Sequence, residues 1–211
     1  MKPAWDEGLA SSLEQLQQRG LYRCLLSVTG ADAHTITAHG QTLVNFGSND
    51  YLGLARHPAL LEAACRAVRD WGAGSTASRL ICGSLQVHHE LEQRLAAFKH
   101  TEAALTFATG YATALGTVPA LVERGDIILL DRLAHASLVD AARLSGATLR
   151  IFRHNDLEDL QRLLHWADQQ RTRAPVTPRQ PRILVVTESV FSMDGDIAPL
   201  PEIVRTARQF G

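Results

Sequence analysis

Lysine is almost missing from this chain: Lys2 and Lys99 are the only two in 211 residues, and arginine carries the remaining positive charge. The formal net charge is −1. No strongly basic surface is therefore expected, which argues against nucleic acid or anionic lipid as a partner. Long apolar runs are missing too, and no stretch approaches the ~20 apolar residues of a bilayer-spanning helix. The opening residues MKPAWDEGLASSLEQLQQRG carry early acids and glutamines and no apolar core, so no secretory signal is expected there. Cysteine is scarce and odd in number: Cys24, Cys65 and Cys82 include no C-x-x-C spacing. That spacing excludes a disulfide framework or zinc site as an expectation and favours a reducing cytoplasm. Neither a P-loop nor a G-x-S-x-G elbow occurs, and no internal repeat is visible.

What is present is the composition of an ordinary globular protein, 45% hydrophobic and 20% charged. Leu9, Leu13 and Leu16 set an amphipathic helix over residues 6–18, which Gly20 can stop. Thr35 to Phe46 alternates about His39-Gly40 and predicts a β-hairpin. Pro58 opens a helix that runs to Trp71, and a second helix is predicted from Gln86 to Phe98. From residue 103 the pattern becomes regular. Strands predicted at 103–108, 126–130, 148–152 and 183–187 alternate with helices at 112–122, 137–145, 157–169 and 201–209. Such alternation predicts an α/β fold with a mostly parallel sheet flanked by helices. The expected division is an N-terminal helix and hairpin segment over 1–56 and an α/β domain over 57–211. Residues 170–181, with three prolines, read as an exposed connection inside that domain.

Several segments place polar chemistry at the carboxyl ends of the predicted strands, where open α/β sheets put their ligands. Around Gly110-Tyr111 a strand passes into a helix, so the first helical N–H groups could hold an anion such as a phosphate. Taken alone, the segment reads first as an ordinary strand-to-helix turn. His135 follows a strand and precedes a helix, where its ring could stack on a flat cofactor; as a lone histidine it reads first as a structural hydrogen-bonder. Gly72-Ala-Gly-Ser-Thr-Ala77 nominally matches a dinucleotide fingerprint, but a helix precedes it where a strand is required. Asp156 reads as a helix N-cap, and Asp194-Gly195-Asp196 as a turn with too few acids for a calcium loop. His88-His89 has no third ligand at metal spacing, so no metal is expected. The most informative segment is Thr187-Glu-Ser-Val-Phe-Ser-Met-Asp-Gly-Asp-Ile-Ala-Pro-Leu200, which sets Glu188 and Ser192 directly after a β-branched strand.

Four of these segments together resemble one enzyme family. Asn45–Leu54 (NFGSNDYLGL), Gly74–Gly83 (GSTASRLICG), Asp131–Ser137 (DRLAHAS) and Thr187–Asp196 (TESVFSMDGD) are similar to the α-oxoamine synthases, in the same order and over nearly the whole chain. These are fold-type I pyridoxal-phosphate transferases that join an acyl thioester to an amino acid with loss of carbon dioxide. The resemblance implies that Gly110 and Tyr111 hold the cofactor phosphate, that His135 stacks on the ring beside the substrate, and that Ser192 hydrogen-bonds the cofactor. Glu188 would sit near the ring with His135 as the catalytic pair. Arg23 matches the position that contacts the acyl substrate, and Asn49 lies in a motif at the active-site mouth. Within the family, residues 187–200 and Arg19–Arg23 look most like the branch that condenses pimeloyl-CoA, or the pimeloyl acyl-carrier-protein thioester, with L-alanine in biotin synthesis. The sister 2-amino-3-ketobutyrate CoA ligases are the alternative. A homodimer is the implied assembly.

The same resemblance makes the scarcity of lysine matter. The family carries an Asp for the pyridine nitrogen, a His, a lysine that holds the cofactor covalently and a small C-terminal domain, all beyond the position matched by Gly211. Neither Lys2 nor Lys99 falls in an active-site motif. The expectation is therefore the N-terminal part of a longer synthase, truncated within its cofactor-binding domain and inactive by itself. The alternative of another class is a non-catalytic partner subunit lacking the lysine.

Overall fold

Strand β4 (Ile127–Asp131, IILLD) is buried along its whole length, and its alternation organises everything around it. Side chains of successive strand residues point to opposite faces. Ile127 and Leu129 accordingly join one apolar cluster, while Ile128 and Leu130 join another. The computed structural model describes residues 4–32, 34–173 and 179–211, in two units divided between Leu85 and Gln86.

In the second unit, β4 lies between β5 (Thr148–Phe152) and β6 (Ile183–Val186), parallel to both. Helices α4 (Gly110–Leu121) and α5 (Ala136–Leu144) cover one face, through Ala114, Val118, Ala141 and Ala142. Helices α6 (Leu157–Arg173) and α7 (Leu200–Arg208) cover the other, through Leu160, Leu163, Leu164, Ala167 and Ile203. The chain leaves β4 through α5 on one face to reach β5, then crosses through α6 on the other face to reach β6 on the far side of β4. The result is the α/β sandwich expected from the alternating pattern, with every crossover helix buried on its apolar side. Helix α3 (Gln86–Lys99) precedes these elements.

Two expectations are corrected here. Residues 103–108 form no strand; the Thr106 N–H and hydroxyl instead donate to Glu92 Oε1, at 2.8 and 2.9 Å. Three of the six residues are alanine, which strands disfavour, and a run becomes a strand only where a neighbouring ladder accepts its backbone groups. The expected connection at 170–181 also starts later, because α6 continues to Arg173. Its last turn is held by Arg171, which donates to Asp168 at 2.5 Å and to the Phe210 carbonyl at 2.7 Å. Residues 174–178 of that connection lie outside the described residues. Asp156 caps α6 as expected, accepting the Asp159 N–H at 2.9 Å.

The first unit contains α1 (Ala4–Gln18), α2 (Pro58–Trp71) and an antiparallel meander of β1 (Val28–Ala31), β2 (Thr35–Ala38) and β3 (Gln41–Val44). The hairpin turns at His39 (φ 51°) and Gly40 (φ 74°). Two positive φ values at the central positions are what a right-twisted two-residue hairpin requires. Pro58 stands at the first turn of α2, where the His57 ring accepts the Ala59 N–H at 3.3 Å.

The loop after α2 closes in a short π-helical turn, Arg79–Gly83. A Cβ on the buried Gly83 would lie 1.8 Å from the Ala77 carbonyl oxygen and 2.6 Å from its carbon. Both are backbone atoms, so relief requires moving the loop itself. Gly83→Ala is expected to destabilise the protein by about 1–3 kcal/mol, the range for overpacking. Urea unfolding of the variant checks this, and an unchanged midpoint would contradict it.

Candidate cofactor site

The carboxyl ends of β4 and β6 lie side by side because the two strands are parallel neighbours in register, Leu130 against Val186. That register brings together residues far apart in sequence. The His135 backbone N–H donates to Glu188 Oε1, joining the loop after β4 to the residue that follows Thr187. The sequence-predicted pair His135 and Glu188 is therefore one contact in the folded unit.

His135 is also the N-cap of α5. Its Nδ1 accepts the Ser137 N–H at 3.2 Å and lies 2.8 Å from Ser137 Oγ. A nitrogen that accepts cannot carry the ring proton in the neutral imidazole, so that proton belongs on Nε2. The ring is thus exposed but held at a fixed tilt.

Helix α4 begins opposite. Thr109 is its N-cap, and the Thr109 hydroxyl accepts the Ala112 N–H at 3.0 Å. Gly110 and Tyr111 occupy the first two helical positions, whose N–H groups have no carbonyl partner within a helix. Beyond its chain neighbours and its own helix backbone, no atom lies within 4 Å of where a Gly110 Cβ would stand. The Tyr111 hydroxyl donates to Asp140 Oδ2 at 3.1 Å, and this carboxylate holds the phenol pKa above its ordinary value.

Between these elements lies an open cleft of about 490 Å³ whose walls include Gly110, Tyr111, His135, Ser137, Leu138 and Glu188. Four predicted site residues are thereby brought together: Gly110, Tyr111, His135 and Glu188. Ser192 is exposed on the next loop and is not among the residues lining the cleft. Arg23 and Asn49 belong to the first unit, where both are exposed. A smaller, mainly apolar hollow of about 360 Å³ between β6 and α7 is lined by Val185, Leu200, Ile203 and Phe210 among others, and by none of the predicted site residues.

A second polar cluster was not predicted from the sequence. Asp131, the last residue of β4, accepts from His154, which accompanies Asp196 and Asn155 in a hydrogen-bonded group. The signal that could have found it is register: β4 and β5 pair Asp131 with Phe152, so His154 emerges beside Asp131 at the sheet's carboxyl edge.

The aminotransferase class I and II family matches residues 41–209. Among curated relatives, the 8-amino-7-oxononanoate synthase of Geobacter sulfurreducens is 49% identical over 203 residues, covering 96% of this chain and 49% of that protein. The 8-amino-7-oxononanoate synthase of Exiguobacterium sibiricum is 45% identical over 204 residues, covering 97% of this chain and 50% of that protein. The chain thus spans about half the length of the curated relatives it matches. Among solved structures, serine palmitoyltransferase from S. paucimobilis with bound PLP–myriocin superposes with a TM-score of 0.84 at 31% identity, covering 100% of this chain and 53% of that one. The 8-amino-7-oxononanoate synthase of Francisella tularensis gives 0.59 at 26% identity, covering 76% and 41%. The match over residues 41–209, which includes the whole parallel sheet and its helices, decides the assignment: the chain belongs to the aminotransferase class I and II family.

Proposed function

We propose that the cleft between α4 and His135 binds pyridoxal 5′-phosphate, and that the protein serves 8-amino-7-oxononanoate synthesis, condensing a pimeloyl thioester with L-alanine. The observation that carries the reading is the convergence of a helix N-terminus, a flat ring and a carboxylate on one cleft. Each part fits the cofactor. The N–H groups of Gly110 and Tyr111, at the positive end of α4, suit a phosphate dianion. The fixed His135 ring suits one face of a pyridine, with its Nε2–H available to a polar atom nearby. Pyridoxal phosphate, when bound, supplies the electron sink for chemistry at an amino acid α-carbon.

The chain's own residues then bind and orient. Glu188 holds the backbone that carries the His135 ring, and Ser137 sets the ring's tilt. The Tyr111–Asp140 bond fixes the residue whose N–H faces the phosphate. Arg23 and Asn49 are proposed for the acyl substrate, since a guanidinium suits a terminal carboxylate. Ser192 is proposed as a further cofactor contact. Two copies of the chain are the proposed assembly.

Neither lysine lines the described cleft. The cleft is therefore expected to bind PLP without a covalent bond, so that borohydride treatment leaves it removable by dialysis. The second reading is a cofactor-binding subunit that does not itself turn over. Release of carbon dioxide from L-alanine that depends on a pimeloyl thioester separates the two; glycine with acetyl-CoA tests the sister ligase activity.

Aromatic stacking contributes ~0.5–1.5 kcal/mol beyond area burial. His135→Ala is accordingly expected to weaken PLP binding about ten-fold, and His135→Phe to restore most of the loss. Absorbance and fluorescence titration of the purified chain with PLP measures both. Equal affinity in all three proteins would remove His135 from the site, and no binding would remove the site.

A further inference from the structure

His154 lies in neither the cleft wall nor any motif assigned above, yet both of its ring nitrogens are engaged by carboxylates. Nδ1 lies 2.8 Å from Asp131 Oδ1, and Nε2 lies 2.6 Å from Asp196 Oδ2. Ionised carboxylates only accept, so a ring satisfying both must donate at both nitrogens, which is the imidazolium form. Asp131 is buried and belongs to the central strand, whereas Asp196 belongs to the loop of residues 189–199 that follows Glu188 and carries Ser192.

That loop is a small closed excursion. Val190 bridges Ile197, the Gly195 N–H donates to the Phe191 carbonyl at 2.8 Å, and the Ala198 N–H donates to the Ser189 carbonyl at 3.1 Å. Its attachment to the sheet runs through Phe191, buried and edge-on to the His154 ring with centroids 4.4 Å apart, and through Asp196. Asn155 reinforces the same joint. Its N–H donates to Asp131 Oδ2 at 3.1 Å, and its amide donates to Asp196 Oδ2 at 2.7 Å.

We propose that His154 is a positioning residue, an imidazolium held between Asp131 of β4 and Asp196 of the 189–199 loop, and that it anchors this loop at the carboxyl edge of the sheet beside Glu188. The link to catalysis rests on the proposed cofactor cleft; the anchoring itself does not.

The groups facing the ring are Asp131 from β4, Asp196 and Phe191 from the loop, and Asn155 beside it. The adjacent Arg153 is engaged elsewhere, with Asp156 at 2.9 Å and with Asp159. The hydrogen bond from Asp131, aided by that from Asp196, outweighs partial burial and raises the His154 pKa above 6.5. A raised folded-state pKa fixes the sign. The anchor is present in full below the ordinary value and is lost as pH rises through the raised one.

Ring-nitrogen NMR of the 15N-labelled chain, together with amide exchange at Phe191, Gly195 and Ala198, tests this without any cofactor. The expected result is a His154 ring protonated on both nitrogens at about pH 7. Loop amides, corrected for intrinsic exchange, should lose protection as that ring titrates, while Leu129 in β4 stays protected. His154→Gln can donate at one end only, so it should lower loop protection about ten-fold at low pH and flatten its pH profile. Should that variant fail to fold, Asp196→Asn removes one carboxylate and should lower the His154 titration midpoint. A neutral His154 ring at pH 7, loop protection in His154→Gln that follows the parent profile, or an unmoved midpoint in Asp196→Asn would each overturn the proposal. Loss of PLP binding with these readouts intact would instead sink the cofactor reading.

Discussion

Replacing Phe152 with alanine is expected to lower stability by about 3–5 kcal/mol, the cost of emptying a buried aromatic site. Phe152 ends β5 and is 1% exposed. It packs in the cluster that includes Leu129 of β4 and Leu160, Leu163 and Leu164 of α6. Its neighbours are fixed on two sides by the parallel ladder and by the helix above it, so the cavity has little freedom to collapse. The Phe152 carbonyl also accepts the Arg132 N–H at 3.1 Å, and the residue stands opposite Asp131 in the register. Disturbing it therefore reaches the strand ends that lead into His135 and His154. A loss of this size is a large share of the ~5–15 kcal/mol stability of a typical domain. The comparison variant is Leu144→Ala, at a site 64% exposed near the end of α5, which is expected to change stability by less than about 0.5 kcal/mol. Denaturant unfolding of the two variants decides the matter, and a Phe152→Ala cost below about 1 kcal/mol would show that the sheet–α6 interface is not the unit's core.

Local rules made much of this fold legible. Pro58, the His39-Gly40 turn and the Asp156 cap each act within a few residues, and each appears where the spacing predicts. The strand expected at 126–130 forms as Ile127–Asp131, one residue later, and is buried along its whole length. Residues 103–108 show the limit of the same reasoning. Leu105, Thr106 and Phe107 could sit in a strand, but pairing is a property of two chains of atoms, and the Glu92 carboxylate takes the Thr106 donors instead. The candidate site divides in the same way. His135 was visible as a strand-end residue and Gly110 as a helix start, although no strand leads into Gly110, and the His135–Glu188 contact follows once β4 and β6 are known to be neighbours. The Asp131–His154–Asp196 group was not visible, because its members come from three segments whose meeting depends on strand order and register. No spacing within one segment encodes that.

Asp126→Ala is expected to cost about 3–4 kcal/mol, from hydrogen bonds to a buried carboxylate that are lost at ~1.5–3 kcal/mol each. Asp126 is fully buried at the start of β4. One carboxylate oxygen accepts the Arg182 N–H at 2.8 Å, just before β6. The other accepts the Glu123 N–H at 2.9 Å and a bond from the Arg179 guanidinium. Arg179 also donates to Glu123 at 2.5 Å. One side chain thus closes the turn into the central strand and fastens the neighbouring strand to it. Burial alone would raise the Asp126 pKa, but the Arg182 and Glu123 N–H groups and the Arg179 charge outweigh it and hold the carboxyl below 3.8. The sign for pH follows: its contribution is present above the ordinary value and is lost as pH falls through the depressed one. Asp159 adds to the same trend, held below 3.8 by the Arg153 N–H and by Arg162. Parent and variant should therefore differ most near neutrality and converge in acid. Asp126→Asn sharpens the test because it keeps the volume and one acceptor oxygen while turning an NH2 group toward the N–H of either Glu123 or Arg182. Its stability should fall like that of the alanine variant, with a flatter acid limb in thermal unfolding. A gap between parent and Asp126→Asn that stays constant from neutral pH to below 3.8 would show that the ionised carboxylate does not hold β6 to β4.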